Sequence, residues 1–417
     1  MTARTLTQRL AAFEPGTLFA GTDLALDDNV TQVIDQQAHC LDRFKFPNDR
    51  AGYDFFRNRL AQLQQQHGAP TVLVGMEPTN YFWKLLASYL SEHALAYRLI
   101  NPYTVRKHRE GNQIDRAKDD YRDAFTIADI LRSGHYTQTR LLTGQYAELR
   151  QYSMLQRRLA RDHGRQQQLL GTTVGQVFPE LRQVFKDLTR NTARAMLQHH
   201  APAAVVAALS VDAFIAAVRA DNPHTRLMPS KLRQAHALAQ HSVGVRSGLQ
   251  AFQATVTSQL QTLTLLEAQL ETTQAQLGAV FMALPAAPYL LSVPAIALAS
   301  AATFLAEIGD PAHYDNYRQW TKLAGIQPTP DTSGRKHYSR TPMSHQGRPA
   351  LRTMLYSTVL RLIQIDAGFA HAYDTFQHRQ PNPLTKMQAI GALMHKLSRV
   401  LWAVVQQPAF YQPQLAF

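Results

Sequence analysis

The sequence predicts an α/β N-terminal domain on a mixed sheet, followed by a mostly α-helical arm and a mostly α-helical C-terminal domain. Three observations predict it. Between residues 18 and 100, apolar runs of strand length alternate with amphipathic helical patterns. Beyond residue 140 the helical period dominates, as in the Ala-rich stretch from Arg190 to Asn222, broken at Pro202. From residue 249 to 277 there is neither proline nor glycine. The boundaries expected are 1–140 for the α/β domain, 141–282 for the arm and 283–417 for the C-terminal domain.

Taken in order, Leu18 to Ala25 reads as a strand ending near Asp23, and Asp27-Asp28-Asn29 as a turn. Val30–Ile34 and Cys40–Phe46 complete a three-stranded meander. Pro47-Asn48-Asp49 caps a helix running to about Gln66, which His67-Gly68 ends. Thr71–Gly75 is a short buried strand leading to Met76-Glu77-Pro78, and Tyr81–His93 is an amphipathic helix. Tyr97–Ile100 is a fifth strand, stopped by Asn101-Pro102, and a helix follows from Asp120 to Leu131. Three antiparallel strands followed by alternating strand and helix is the ribonuclease-H-like order. There the first strand and the end of the fourth lie side by side. Asp23, Glu77 and the Asp120/Asp123 pair are therefore expected to converge.

Asp120 and Asp123 are three residues apart, so on a helix their carboxylates share a face. Lys118 and Arg122 relieve their repulsion only in part. Either the pair is a solvated acidic helix start, which suits the helix dipole, or a cation neutralises it. Oxygen-only donors select a hard ion such as magnesium. Asp27, Asp28, Asp115 and Asp119 are nearby acids off that face.

Tyr146 to Val174 carries Arg150, Arg157, Arg158, Arg161 and Arg165 largely on one side, either a phosphate-facing strip or an ordinary solvated face. Val256, Leu263, Leu270 and Leu277 recur every seven residues, with Glu267 and Gln274 at intervening core-type positions. That pattern suits an arm packing on another subunit, or a helix packed within one chain. Helices are expected at Ala295–Ile308, Tyr314–Ala324, Arg348–Ile363 and Lys386–Gln406. The Gly325–Arg340 segment reads as an irregular loop carrying Ser333, Arg335, Lys336 and Arg340, with Arg348 and Arg352 after it.

Composition bounds the function. Among 417 residues, 43 Lys and Arg against 30 Asp and Glu give +13, which favours a polyanionic partner, most simply nucleic acid. Cys40 is the sole cysteine, excluding an intrachain disulfide and a cysteine zinc site, and the histidines lack metal-ligand spacing. Met1 to Pro15 lacks a signal peptide's apolar run. Thr272 to Ala306 is uncharged, but Pro285, Pro288 and Pro294 interrupt it, so no membrane span is expected. No nucleotide-binding loop is visible. The lone cysteine fits a reducing cytosol.

Several motifs in order carry a resemblance. They are Gly21-Thr22-Asp23, Gly75-Met76-Glu77-Pro78-Thr79 with Tyr81 and Trp83, and Lys118 to Ala124. Then come Leu305 to Asp310, Ala324 to Pro328, Ser333-Gly334, and Gly347 with Leu351-Arg352. In these the chain resembles the DEDD-type insertion-sequence transposases, with a RuvC-like first domain and a second, serine-bearing transposase domain. The resemblance implies that Asp23, Glu77, Asp120 and Asp123 bind Mg2+ and that Ser333 attacks DNA to form a phosphoserine intermediate. It also implies a homo-oligomer, one subunit's acidic domain meeting another's serine domain, and a structured guide RNA that pairs with donor and target DNA. The DNA-binding cations would be Arg335, Lys336, Arg340, Arg348, Arg352, Arg157, Arg158 and Arg161. The chain departs from the pattern at Pro294-Ala295-Ile296-Ala297, where relatives usually carry Pro-Gly-Ile-Gly. It departs again at Ser344-His345-Gln346-Gly347, where they are more basic. The function expected is a magnesium-dependent transposase or site-specific recombinase. A structure-specific DNA endonuclease using only the four acids, and a non-catalytic nucleic-acid-binding protein, are the alternatives.

Overall fold

The structure is a computed structural model that describes residues 6–78, 80–112, 119–136, 141–329, 332–333, 336–337 and 342–413. The chain divides into two compact units, residues 1–147 with 311–320, and residues 148–310 with 321–417.

The first unit opens with α1 (Leu6–Leu10), β1 (Leu18–Asp23), β2 (Asp28–Ile34) and β3 (Cys40–Pro47). It continues through α2 (Arg50–Gln66), β4 (Val72–Met76), α3 (Phe82–Glu92), β5 (Tyr97–Leu99), α4 (Pro102–Asn112) and α5 (Asp120–Arg132). The five strands form one sheet in the order β3-β2-β1-β4-β5. β1 pairs antiparallel with β2 and parallel with β4, which is the mixed sheet expected. Side chains alternate between its faces. Leu18, Ala20, Val72 and Val74 pack with Phe56, Leu60, Leu86 and Leu90 of α2 and α3. Phe19, Ile34 and Leu73 pack on the other face with Ile127, Ala128 and Leu131 of α5. At the head of α2, Asp49 accepts a 2.7 Å hydrogen bond from the Gly52 amide, satisfying one of the helix's orphan donors.

The second unit is almost wholly helical. It holds most of α6 (Gly144–Val177), then α7 (Leu181–Val184), α8 (Asn191–Leu197), α9 (Ala203–Ala207), α10 (Val211–Asp221) and α11 (Pro229–Ala239). α12 (Leu249–Met282), α13 (Ala287–Leu291), α14 (Leu298–Ile308) and the end of α15 (Tyr317–Ala324) follow. Two short strands, β6 (Thr332–Ser333) and β7 (Lys336–His337), precede α16 (Pro349–Ile365), α17 (Ala367–His378) and α18 (Lys386–Gln406). No helix among the described residues is long and apolar enough to cross a membrane.

Several expectations are corrected. α4 was not foreseen, because in its polar sequence Val105 is the residue that enters the core. α17 was missed for the same reason, burying Phe369 and Ala372. The heptad of α12 is covered within the chain. Val256 and Leu263 join the core of α6 to α11, Leu277 is buried too, and Leu270 is half-buried. The helix expected from Ala295 begins at Leu298, since Ala295 adopts a left-handed φ of 63° that ends any helix there.

Candidate active site

The acids are brought together by a pair of glycines. Gly21 of β1 lies opposite Gly75 of β4 in the parallel pairing. A Cβ on Gly21 would sit 2.1 Å from the Ala124 carbonyl oxygen, and one on Gly75 would sit 3.0 Å from Leu131 Cδ2. Helix α5 therefore rests almost directly on the sheet backbone, which a larger residue would forbid. Asp23 is two residues beyond Gly21 and Glu77 two beyond Gly75, so both strand ends direct their carboxylates to the α5 face. Thr22 faces Met76 across the pairing, which makes Asp23 and Glu77 the next neighbours outward. The first turn of α5 supplies Asp120 and Asp123. That turn is fixed by Asp119, whose carboxylate accepts from the Tyr121 amide at 3.1 Å.

The electrostatics record this convergence. The pKa of Asp23 is raised from 3.8 to about 6, first by burial, then by the charges of Asp123 and Asp120. Arg109 opposes the rise, and Glu77 adds to it. All three other expected acids act on Asp23. Asp123 is buried and Asp120 exposed. Arg109 of α4 places Nε 3.0 Å from Asp123 Oδ1. Among the described residues no three acidic, histidine or cysteine side chains close around one point as they would around an ion. The donor set itself fits a divalent cation: carboxylate oxygens whose burial, and then mutual repulsion, leave Asp23 costly to ionise. Of the other nearby acids, Asp27 and Asp28 are exposed at the turn, Asp119 is a cap, and Asp115 lies outside the described residues. Arg109 was not anticipated, because its helix was not.

In the second unit Ser333 ends β6 opposite Lys336 of β7, so the expected irregular loop contains a two-stranded hairpin. Its base is tightly drawn. Gly325, with φ of 69°, backs onto Gly347, where a Cβ would lie 2.4 Å from the Gly325 nitrogen. The His345 amide donates to the Gly325 carbonyl at 3.0 Å, and the Ser344 amide to Gln327 at 2.9 Å. Arg352 donates to the Ala324 carbonyl at 2.8 Å, and His395 Nε2 lies 3.0 Å from the Ile326 carbonyl. Arg335 and Arg340 lie outside the described residues.

The expected nucleic-acid cations divide. Glu307 of α14 is 2% exposed and was read only as part of a motif. It receives Arg150 at 2.8 Å and Arg157 at 2.7 Å, and the Arg348 guanidinium donates to its backbone carbonyl. Arg157, Arg348 and Arg352 thus serve the interior of the unit, because a buried carboxylate and open carbonyls need donors. Arg158 and Arg161 remain exposed on α6, Arg158 with Asp162 at 3.8 Å. A lone Glu in an apolar run, Leu305-Ala306-Glu307-Ile308, was the available signal.

A mixed sheet of this order, with acids closing its first and fourth strands and a pair on the helix beyond its fifth, is consistent with a DEDD-type, RuvC-like domain. The comparisons agree. Residues 20–179 match the IS110-type DEDD transposase domain, and residues 287–374 match the IS116/IS110/IS902 transposase family, together more than half the chain. The chain is 27% identical over 408 residues to the 42 kDa protein of insertion element IS900 from Mycobacterium paratuberculosis, covering 95% of this chain and 97% of that one. It is 24% identical over 336 residues to the mini-circle candidate transposase of IS117 from Streptomyces coelicolor, covering 77% and 79%. It is 24% identical over 303 residues to the 43.6 kDa protein of IS110 from the same organism, covering 72% and 73%. The chain belongs to the IS110/IS116/IS902 family of insertion-sequence transposases, DNA recombinases by activity.

Proposed function

We propose that the chain cuts and rejoins DNA with divalent cations, magnesium by ligand chemistry, held by Asp23, Glu77, Asp120 and Asp123, and with Ser333 as the nucleophile. The observation that supports the metal-binding part of this reading is the approach of the α5 first turn to the ends of β1 and β4, where burial first, and then the charges of Asp123, Asp120 and Glu77, raise the pKa of Asp23. A bound cation would neutralise charge on the reacting phosphate and favour ionisation of the attacking hydroxyl. The acids sit on their glycine-backed frame, and Ser333 lies on the short strand β6. In the reaction the serine hydroxyl loses its proton and forms an O–P bond as a deoxyribose oxygen leaves and is protonated. A second strand's hydroxyl reverses the exchange, reseals DNA and frees the serine. The bond energy is kept throughout, so no nucleotide is consumed. Two copies of the chain or more would bring acids and serine to one phosphate, and a structured guide RNA would select donor and target. Exposed Arg158 and Arg161, with Arg335, Lys336 and Arg340, remain the candidates for phosphate contact.

The test traps the covalent species. Wild type should yield a phosphoserine on Ser333, and Ser333→Ala should abolish both adduct and resealed products. Full recombination by that variant would refute the nucleophile. Free DNA ends from wild type would indicate the nuclease alternative instead. RNA sequenced from the purified protein should be dominated by one structured species if a guide is used.

A further inference from the structure

We infer that Arg43, Lys45 and Tyr121 form a rail beside the acids that holds the backbone of the DNA strand to be cut. The inference rests on the reading above and names how its substrate is held. One row of the sheet runs Lys45 of β3, Val30 of β2, Asp23 of β1, and outward to Glu77. The neighbouring row runs Arg43, Gln32, Gly21, Gly75. Strand spacing places Lys45 two steps, about 10 Å, from Asp23 along that row. Phe44 and Phe46 pack toward the α2 and α3 core, so Arg43 and Lys45 lie on the opposite face, the one α5 covers.

There they meet Tyr121, between the two metal-site acids in the α5 first turn. The Arg43 guanidinium carbon is 5.5 Å from the centre of the ring, and the Lys45 amine 5.7 Å. Such cation–π contacts restrict two long side chains that would otherwise wander, lowering the entropy lost when a ligand binds. Both residues are exposed. Among the described residues neither has a carboxylate at ion-pair distance; Asp42 beside them is held by Arg59 at 2.6 Å.

The charge balance favours such a rail. Until cations fill the site, four carboxylates against Arg109 leave it net negative, which repels a phosphodiester. Unneutralised cations about 10 Å to one side supply the attraction, and their placement along an edge strand suits a backbone passing the site. An edge strand ending in exposed cations also resists pairing with another sheet, so the row has a bland use as well. That use requires neither the aromatic clamp nor the register with Asp23.

The full-length protein is tested with a fluorescein-labelled single-stranded DNA oligonucleotide in EDTA, so that binding is read apart from metal and from strand transfer. Arg43→Gln/Lys45→Gln should bind about tenfold more weakly near physiological salt, and its slope of log K against log salt should be shallower by roughly 1.4, as for two lost phosphate contacts on single-stranded nucleic acid. Arg43→Lys/Lys45→Arg should retain both. Unchanged affinity and slope in the Gln variant would overturn the rail, as would a loss confined to RNA, or an equal loss in the charge-keeping variant. Failure of wild type to perform magnesium-dependent strand transfer would strike the underlying reading and leave this binding difference intact.

Discussion

At the scale of single residues, the acids and their counter-ions set the pH behaviour. Asp23 has its folded pKa raised to about 6, against 3.8 as the ordinary value. With a raised pKa, the favourable contribution is fully present below pH 3.8 and is lost as pH rises through 6. At neutral pH without metal, Asp23 therefore costs stability, about 1–2 kcal/mol after allowing for its partial exposure. Asp23→Asn should raise the melting temperature in EDTA at pH 7.5, and the gain should vanish by pH 4. A destabilised variant at pH 7.5 would contradict the crowding of acids. Isothermal titration of the same variant should show weakened divalent-ion binding. Glu307 is the opposite case. Burial pushes its pKa up, but Arg150 and Arg157 outweigh burial and hold it below the ordinary value. Its contribution is present above pH 4.5 and is lost as pH falls through the lowered value. Glu307→Ala leaves the arginines without their anion and should cost about 3–5 kcal/mol in denaturant unfolding at pH 7. Ala295 holds a left-handed backbone shape that glycine adopts without strain. Ala295→Gly should add about 1 kcal/mol, seen as a higher denaturant midpoint with unchanged slope.

At the scale of elements, the sheet and its site were legible for one reason. Strands β1 and β4 carry short apolar runs and β3 alternates polar with apolar residues, each bounded by turn residues, and these fixed the chain order from which the approach of Asp23, Glu77, Asp120 and Asp123 follows. Helix α4 was illegible because Pro102 to Asn112 is mostly polar and its core contact is Val105. With α4 went Arg109. The arginine strip of α6 was visible, but not its division, since Glu307, the partner of Arg150 and Arg157, lies about 150 residues away. The seven-residue rhythm of α12 gave its buried stripe and not what covers it. Because Val256, Leu260 and Leu263 sit in the core of the second unit, Leu263→Ala should cost about 3 kcal/mol and leave the assembly size unchanged. Light scattering that showed dissociation without loss of stability would reverse that assignment. Gly21→Ala should lift α5 off the sheet and abolish divalent-ion binding while every acid remains.

At the scale of the whole molecule, the first unit holds hydrophobic clusters on both faces of its sheet, and the second holds one around α6 to α12. Calorimetry should show Asp23→Asn moving one transition and Glu307→Ala moving another; a common shift would mean that the cores melt together. The units are not consecutive pieces of chain. Residues 311–320 return to the first one, carrying Trp320, which is 1% exposed and lies edge-on to Tyr314 with ring centres 6.0 Å apart. Recombination between related genes at a single crossover near residue 147 would consequently join a sheet unit from one parent to a closing segment from the other. Viable natural hybrids should therefore be double crossovers that exchange the short Trp320 segment together with the acidic half.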